Sequence, residues 1–257
     1  YYQNDEEEDK EILDEYTKYV NDMLGYLGEK NTEEKAKKIV AFEKEIAKFL
    51  LTDEEQDDVT KYNNPMKVSE IAKKIKNIDI QKFLKDAGVN TDNVNVEELK
   101  YYENLDKIIN MSNIEVIKDY MKFQLISGSA GILDEKTSNR SFEFYGKVLS
   151  GRKERDAIEK RALDFVSEEL GEIVGKVYVE KNFSAEAKKN TEEMIKYIKI
   201  AFQNRIKNLT WMSEETKKAA LEKLSKINSK IGYPNVWRDF ASLKLNPEDT
   251  LYGQIST

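Results

Sequence analysis

The side chains available for chemistry in this sequence are carboxylates, lysines, tyrosines and serines, because it contains no His and no Cys. Without imidazole or thiolate there is no ordinary zinc site, no Ser-His or Cys nucleophile system, no imidazole ligation of haem and no disulfide. One acidic run, Asp53, Glu54, Glu55, Asp57 and Asp58, has the oxygen-rich character that calcium requires. It lacks the Gly and the fixed ligand spacing of a calcium loop, as does the set Asn90, Asp92, Asn95 and Glu97. A solvated charge run is the expected reading of both. General acid and base work by a carboxylate pair needs one member buried with a raised pKa. Glu172, beside Ile173 and Val174, is the candidate for part-burial, against the simpler expectation that it is exposed or salt-bridged.

Two further clusters stand out. Gly151, Arg152, Lys153, Glu154 and Arg155, followed by Lys160 and Arg161, put a local excess of basic charge at a helix start, where a phosphate or carboxylate can bind. Alternating-sign ion pairs on a solvated helix face account for the same residues. Trp211, Tyr233 and Trp237 collect in the last third of the chain, either lining a peptide-binding surface or, as aromatic rings do more often, packing the joints between helices. The sequons at Asn110, Asn139, Asn182 and Asn208 are what a Lys- and Asn-rich chain produces by chance.

The elements that must position these groups are helical. Ile12, Leu13, Tyr16, Tyr19, Val20, Met23, Leu24 and Leu27 form one apolar stripe ending at Gly28. Ile39, Phe42, Ile46, Phe49 and Leu50 form a second, opened by Asn31 with Glu34 as a capping pair. These two helices predict a hairpin. The acidic stretch 52–64, closed by Pro65, predicts a domain boundary, with residues 1–60 on one side and 61–257 on the other. Short helices are expected near 68–76 and 80–87, and a brief strand where Val94 and Val96 alternate with Asn. Ser112 with Glu115 reads as a capping box, and a helix over 141–149 stops at Gly151. A long helix over 154–180 and helices capped by Ser184 and Ser213 complete the pattern. The fold class is all-α, antiparallel helices with short connections and room for one minor strand pair. Residues 166–179, 184–209 and 213–231 are expected to pack as one antiparallel set, with Trp211 buried in the second turn.

The net charge of −7 with both signs intermixed argues against nucleic acid as a main partner. No apolar run is long enough to span a bilayer, so no membrane segment is expected. The 257 residues suffice for a substantial core, as one elongated domain or one and a half compact ones. A first residue of Tyr rather than Met predicts a fragment or processed form, so the compartment stays open between a bacterial cytoplasm and export directed by a missing N-terminus.

Four stretches read together resemble one family: Leu-Thr-Trp-Met-Ser-Glu-Glu-Thr-Lys at 209–217, Ala-Leu-Glu-Lys-Leu-Ser-Lys-Ile at 220–227, Lys-Ile-Gly-Tyr-Pro at 230–234, and Val-Gly-Lys-Val-Tyr-Val-Glu-Lys-Asn-Phe at 174–183. Tyr1-Tyr2 before a helix, Phe42-Glu43-Lys44-Glu45-Ile46-Ala47, Tyr62-Asn63-Asn64-Pro65-Met66, Phe144-Tyr145-Gly146 and Leu149-Ser150-Gly151 support them. In this order they resemble the neprilysin family of zinc metalloendopeptidases, which includes endothelin-converting enzyme and bacterial oligopeptidase O. In that family a His-Glu-x-x-His helix and a downstream Glu hold zinc, and an Asn-Ala-Phe/Tyr-Tyr segment grips the substrate backbone. All of these lie C-terminal to the part matched. The resemblance therefore implies the end of the enzyme's N-terminal part and most of its helical lid domain, with no catalytic, cofactor or metal residue carried over. It implies zinc in the parent but none in this chain. The parent would cleave short peptides on the amino side of hydrophobic residues, the lid restricting entry to its chamber, and the partners are the missing catalytic domain and those peptides. A stand-alone helical protein-binding module is the alternative, and a carboxylate-based hydrolase a distant third.

Overall fold

A computed structural model describes residues 1–3, 6–246 and 248–251. The chain divides into two compact units, one of residues 1–155 with 246–257 and the other of residues 156–245. Each is described by itself.

In the first unit, α1 (Glu7–Tyr26) and α2 (Thr32–Ala47) pack on each other as the two stripes require. The turn between them follows from Gly28 at φ +76°, a left-handed conformation that a side chain disfavours. The Gly28 amide donates to the Gly25 carbonyl at 3.0 Å and the Glu29 amide to that of Leu24 at 3.2 Å, so the last helical carbonyls are satisfied. The expected Asn31/Glu34 capping pair does not form. Asn31 is itself left-handed and makes no side-chain cap, and Glu34 pairs with Lys38 at 2.6 Å instead.

The acidic stretch folds into two single-turn helices, α3 (Asp53–Gln56) and α4 (Val59–Tyr62). The expected strand is present: β1 (Pro65–Lys67) pairs antiparallel with β2 (Asn93–Asn95), Met66 opposite Val94, around α5 (Val68–Lys74) and α6 (Ile80–Asp86). With α7 (Leu99–Glu103) and α8 (Leu105–Ile108) they enclose a small apolar cluster of Ile71, Ile75, Val96 and Leu105.

The capping box expected at Ser112 lies two residues earlier. Asn110 accepts from the Ser112 amide at 2.9 Å and Asn113 accepts back from the Asn110 amide at 3.1 Å, at the start of a single 3₁₀ turn. Then come α9 (Ile114–Ser129), α10 (Glu135–Ser141) and a π-helical segment, Phe142–Leu149. Gly146 lies against the Phe142 ring so closely that a Cβ there would collide with it.

The main core joins α1 and α2 to α9 and the π-helical segment. Tyr19, Val20, Met23, Leu24, Ala36 and Ile39 meet Phe123, Ile126, Ala130 and Phe144. Tyr19 stacks on Phe144 at 5.2 Å and meets Phe123 edge-on at 5.8 Å, while its hydroxyl finds Ser127 at 2.9 Å, the polar partner a buried phenol needs. The apolar faces of α1 and α2 are buried by residues far along the chain, and the division falls at 155/156.

In the second unit the long helix expected over 154–180 is two: α11 (Ile158–Glu169) and α12 (Gly171–Asn182), broken at Leu170 where Gly171, a poor helix former, follows. α13 (Ala185–Asn208) and α14 (Glu214–Ser225) carry the expected caps, the Ser184 hydroxyl accepting from the Ala187 amide at 3.1 Å and that of Ser213 from the Thr216 amide at 3.2 Å. The expected three-helix set is not formed. α11 packs on α12 and α13 on α14, whereas α12 and α13 have at most marginal contact. Trp211, expected in a buried turn, is 76% exposed, because the short 210–213 connection leaves no third helix to close over it.

Candidate functional site

The structure places each sequence candidate. In the acidic run, Thr52 and Glu55 cap α3 reciprocally, and Asp58 caps α4 by accepting from the Thr60 amide at 2.9 Å. The two hydrogen bonds from Thr60 hold the Asp58 carboxyl below its ordinary pKa. In the second acidic set, Asn95 donates its amide to the Tyr62 carbonyl at 3.2 Å. Among the described residues no three carboxylates converge as a metal site. The hydrogen bonds of Thr52, Glu55, Asp58 and Asn95 are those of caps and turns.

The basic segment is occupied by acids. Arg155 donates to Glu135 at 3.0 Å and to Asn139 and Ser138, and Lys160 lies between Asp156 at 3.2 Å and Asp164 at 3.0 Å. Arg152 rides over the Phe142 ring at 5.5 Å. The ion-pair reading holds for these residues. Glu172 is exposed and accepts from the Arg238 amide at 2.8 Å, so it fixes a loop and is no buried general acid.

The aromatic cluster divides. Tyr233 and Trp237 stack at 5.8 Å with an interplanar angle of 6°, and Phe183 meets Tyr233 edge-on at 6.1 Å, while Trp211 is solvated elsewhere. Gly232, at φ +66°, presses on the Phe183 ring with no room for a Cβ. Thus two of the motif stretches, 174–183 and 230–234, meet through a glycine. Lys188 locks this joint. Its ammonium donates to the Tyr233 carbonyl at 2.6 Å and to Asn235 Oδ1 at 2.8 Å, and it lies 4.2 Å from the Tyr233 ring centre. Beside it opens a cleft of about 510 Å³ lined by Glu172, Lys188, Glu192 and the loop 228–235. Lys188 is only 9% exposed, and nothing in its sequence position marks it, since a lysine in the first turns of a helix is ordinarily solvated.

A second polar group also escaped the sequence reading. Glu43 accepts from the Tyr2 hydroxyl at 2.7 Å and from that of Tyr16 at 2.9 Å. Burial pushes its carboxyl above the ordinary range, and burial beside Glu43 raises both phenols further still. A signal was available: Glu43 falls on the stripe of Ile39, Phe42 and Ile46. By contrast Glu29, held by Lys122 at 2.6 Å and Lys35 at 2.5 Å, is lowered to about 2. Lys35 also reaches Asp119 at 2.9 Å, so this network ties the α1–α2 turn to α9.

The profile described as Peptidase family M13 matches residues 1–234. A neutral endopeptidase of Lactococcus lactis subsp. lactis (strain IL1403) is 28% identical over 98% of this chain and 40% of its own length. One from Lactobacillus helveticus is 30% identical over 94% of this chain and 37% of its own. The Mycobacterium tuberculosis zinc metalloprotease ZMP1 in complex with an inhibitor superposes with a TM-score of 0.82 at 25% identity, covering 98% of this chain and 38% of that one. Lactobacillus rhamnosis PepO, at 20% identity and a TM-score of 0.81 over 99% of this chain and 41% of its own, shares the fold. The chain thus spans about 40% of the length of relatives it matches almost end to end. With the profile running unbroken through both compact units, the chain belongs to Peptidase family M13.

Proposed function

We propose that this chain is the helical, non-catalytic part of a longer zinc metalloendopeptidase and hydrolyses no peptide by itself. The observation that carries the reading is a family match over residues 1–234 in a chain without one His. Zinc does not fit the donors here. Imidazole and thiolate are missing from the sequence, and no group of three carboxylates gathers among the described residues. The metal and the reacting groups then belong to the remainder of the longer polypeptide, with which this chain is partnered.

Within that parent, this helical part supplies the lid that admits short peptides to an enclosed chamber, and α1 and α2 belong to the base. An enclosed chamber excludes folded proteins and strips water from the bound peptide. The shared core attaches a condition. Side chains interdigitated in one core move together, so a base that includes α1 and α2 carries residues 114–149 with it. The second unit supports a covered surface in the parent. Met194, Tyr197, Ile198, Phe202 and Trp211 are each more than two-fifths exposed, far more apolar surface than a free helix pair sustains.

The test is metal analysis and peptide cleavage on the purified chain and on the product of the longer reading frame. The chain should hold no stoichiometric zinc and cleave nothing. The longer product should bind one zinc, lose activity to a chelator, and cleave a short peptide while sparing the same bond in a folded protein. Tight zinc or chelator-sensitive cleavage by the chain alone overturns the proposal. A reading frame without His-Glu-x-x-His leaves the stand-alone binding module in its place.

A further inference from the structure

We propose that the first unit carries a binding site for a basic side chain beside an apolar one, as a short peptide presents them, in the cavity between α6, β2 and α7. The cavity measures about 440 Å³, the size of a small-ligand site, and lies against the cluster of Ile71, Ile75, Val96 and Leu105. Its apolar wall is a helix face that the chain leaves half used. On α6, Ile80, Phe83 and Leu84 follow at three- and four-residue spacing and so share one face. Ile80 packs on the cluster, whereas Phe83 keeps 62% of its surface in water. Tyr101 and Tyr102 of α7 also line the cavity, their rings edge-on at 5.2 Å.

The charge at this cavity has one sign. The charged residues that line it are Glu97 and Glu98, with no Lys or Arg beside them. Glu98 Oε2 accepts from the Leu51 amide at 2.9 Å, which fixes that carboxylate and leaves Oε1 for a ligand. Neither acid has an ion-pair partner among the described residues, while Glu103, further along α7, is paired with Lys74 at 2.8 Å. Carboxylates beside open aromatic rings are the surroundings a cation selects, since the ring faces and the acids both attract it. The apolar wall then takes the methylenes of the basic side chain and the neighbouring apolar residue. An anion is repelled by both acids, and an uncharged ligand meets the wall alone. Among cations arginine fits best, because its planar fork stacks on rings and bonds a carboxylate bidentately. The site is independent of the zinc endopeptidase proposed for the parent, since every residue it uses lies in this chain.

The experiment is proton–nitrogen NMR on the full chain, titrated with acetyl-Leu-Arg-amide. Acetyl-Leu-citrulline-amide serves as the uncharged counterpart of the same shape, and acetyl-Gly-Arg-amide as the one without the apolar neighbour. The Leu-Arg peptide should shift the amides of residues 80–84 and 94–102 along one saturating curve, and the citrulline peptide should bind about five-fold more weakly. The Gly-Arg peptide should also bind more weakly. Glu97→Gln and Glu98→Gln should each weaken the Leu-Arg peptide about two- to five-fold and leave the citrulline peptide unchanged. The second keeps an oxygen for the Leu51 amide. Phe83→Ala, at an exposed position, should weaken both peptides. No saturation up to about 10 mM, or equal affinity for the arginine and citrulline peptides, overturns the site. Shifts in these amides that follow the concentration of the chain and ignore the peptide mean that a second copy fills the cavity, and overturn it too. Should Glu98→Gln not fold, an unchanged Leu-Arg affinity in Glu97→Gln overturns it as well.

Discussion

Two regions of this molecule are built from the same kind of amphipathic helix, and only one closes a core. Where α1 and α2 meet α9, Tyr19, Val20, Met23, Leu24, Ala36 and Ile39 lose all contact with solvent. Along α11, α12, α13 and α14 no residue is so enclosed, and the one buried side chain is a lysine, Lys188, still 9% exposed. An apolar stripe says that a helix has a face to bury, and is silent about the partner. In the first unit the partner lies in the chain: α9 and the π-helical segment arrive some hundred residues later and fill the groove between α1 and α2. The second unit has two helix pairs joined by a loop anchored on Lys188, and its stripes are left facing water.

The largest expected effect tests the first half of that contrast. Phe123 is 1% exposed and meets the rings of Tyr16 and Tyr19 edge-on at 5.9 and 5.8 Å. Phe123→Ala should remove about 3–5 kcal/mol from the first unit, the loss of transfer energy plus the cavity left behind. Denaturant unfolding followed by a probe in residues 1–155 reads it, and a loss under about 1 kcal/mol would show a core too loose to support the comparison. Next in size is Lys188→Met, which leaves the Tyr233 carbonyl and Asn235 without their donor at a nearly buried position. The expected cost is about 1–3 kcal/mol, confined to the second unit. It should appear as faster amide exchange across 228–238, with residues 7–47 unchanged. Equal acceleration in both regions would mean that the two units are not separately stable.

How much of this could be read from residue order follows the same division. Helix positions, the Ser184 and Ser213 caps, the Gly28 stop and the brief strand at Val94 came from local signals, and local physics decides them. The Asn110 cap replaced the expected Ser112 cap because the two alternatives differ by a few tenths of a kcal/mol in a polar stretch that offers both. The division at 155/156 has a different origin. Composition marks the polar stretch 52–64, which folds as α3 and α4, but whether such a stretch separates two bodies depends on contacts formed elsewhere, here by Phe123 and Phe144. Glu43 was legible as a carboxylate on an apolar stripe. Lys188 was not, because a buried lysine and a solvated one occupy the same helix position in sequence.

A smaller effect separates backbone from packing. Gly28 has open space where a Cβ would stand, so Gly28→Ala meets no neighbour and pays only for its φ of +76°. The expected loss is about 1 kcal/mol, read as a lower denaturation midpoint for the first unit with an unchanged slope. A cost several times larger would mean that the α1–α2 turn is held by packing rather than by the glycine conformation.

The smallest expected effect is the most informative about the second unit. Trp211, one of two tryptophans, is 76% exposed, so little apolar area leaves or enters water when it is truncated. Trp211→Ala in this chain should cost less than about 1 kcal/mol, within the range of ordinary surface substitutions. The same change in the product of the longer reading frame should cost more, approaching the figure of about 3–5 kcal/mol typical of a buried aromatic, provided that the remainder of the polypeptide covers this face. The comparison isolates the covering, because the substitution and its local helix ends are identical in both contexts. Equal small losses would leave Trp211 as a solvated contact residue, and the imbalance between the two regions would then be a property of the fold itself. A large loss in the short chain would instead mean that the connection 210–213 is packed in solution, and that the second unit has the core its stripes call for.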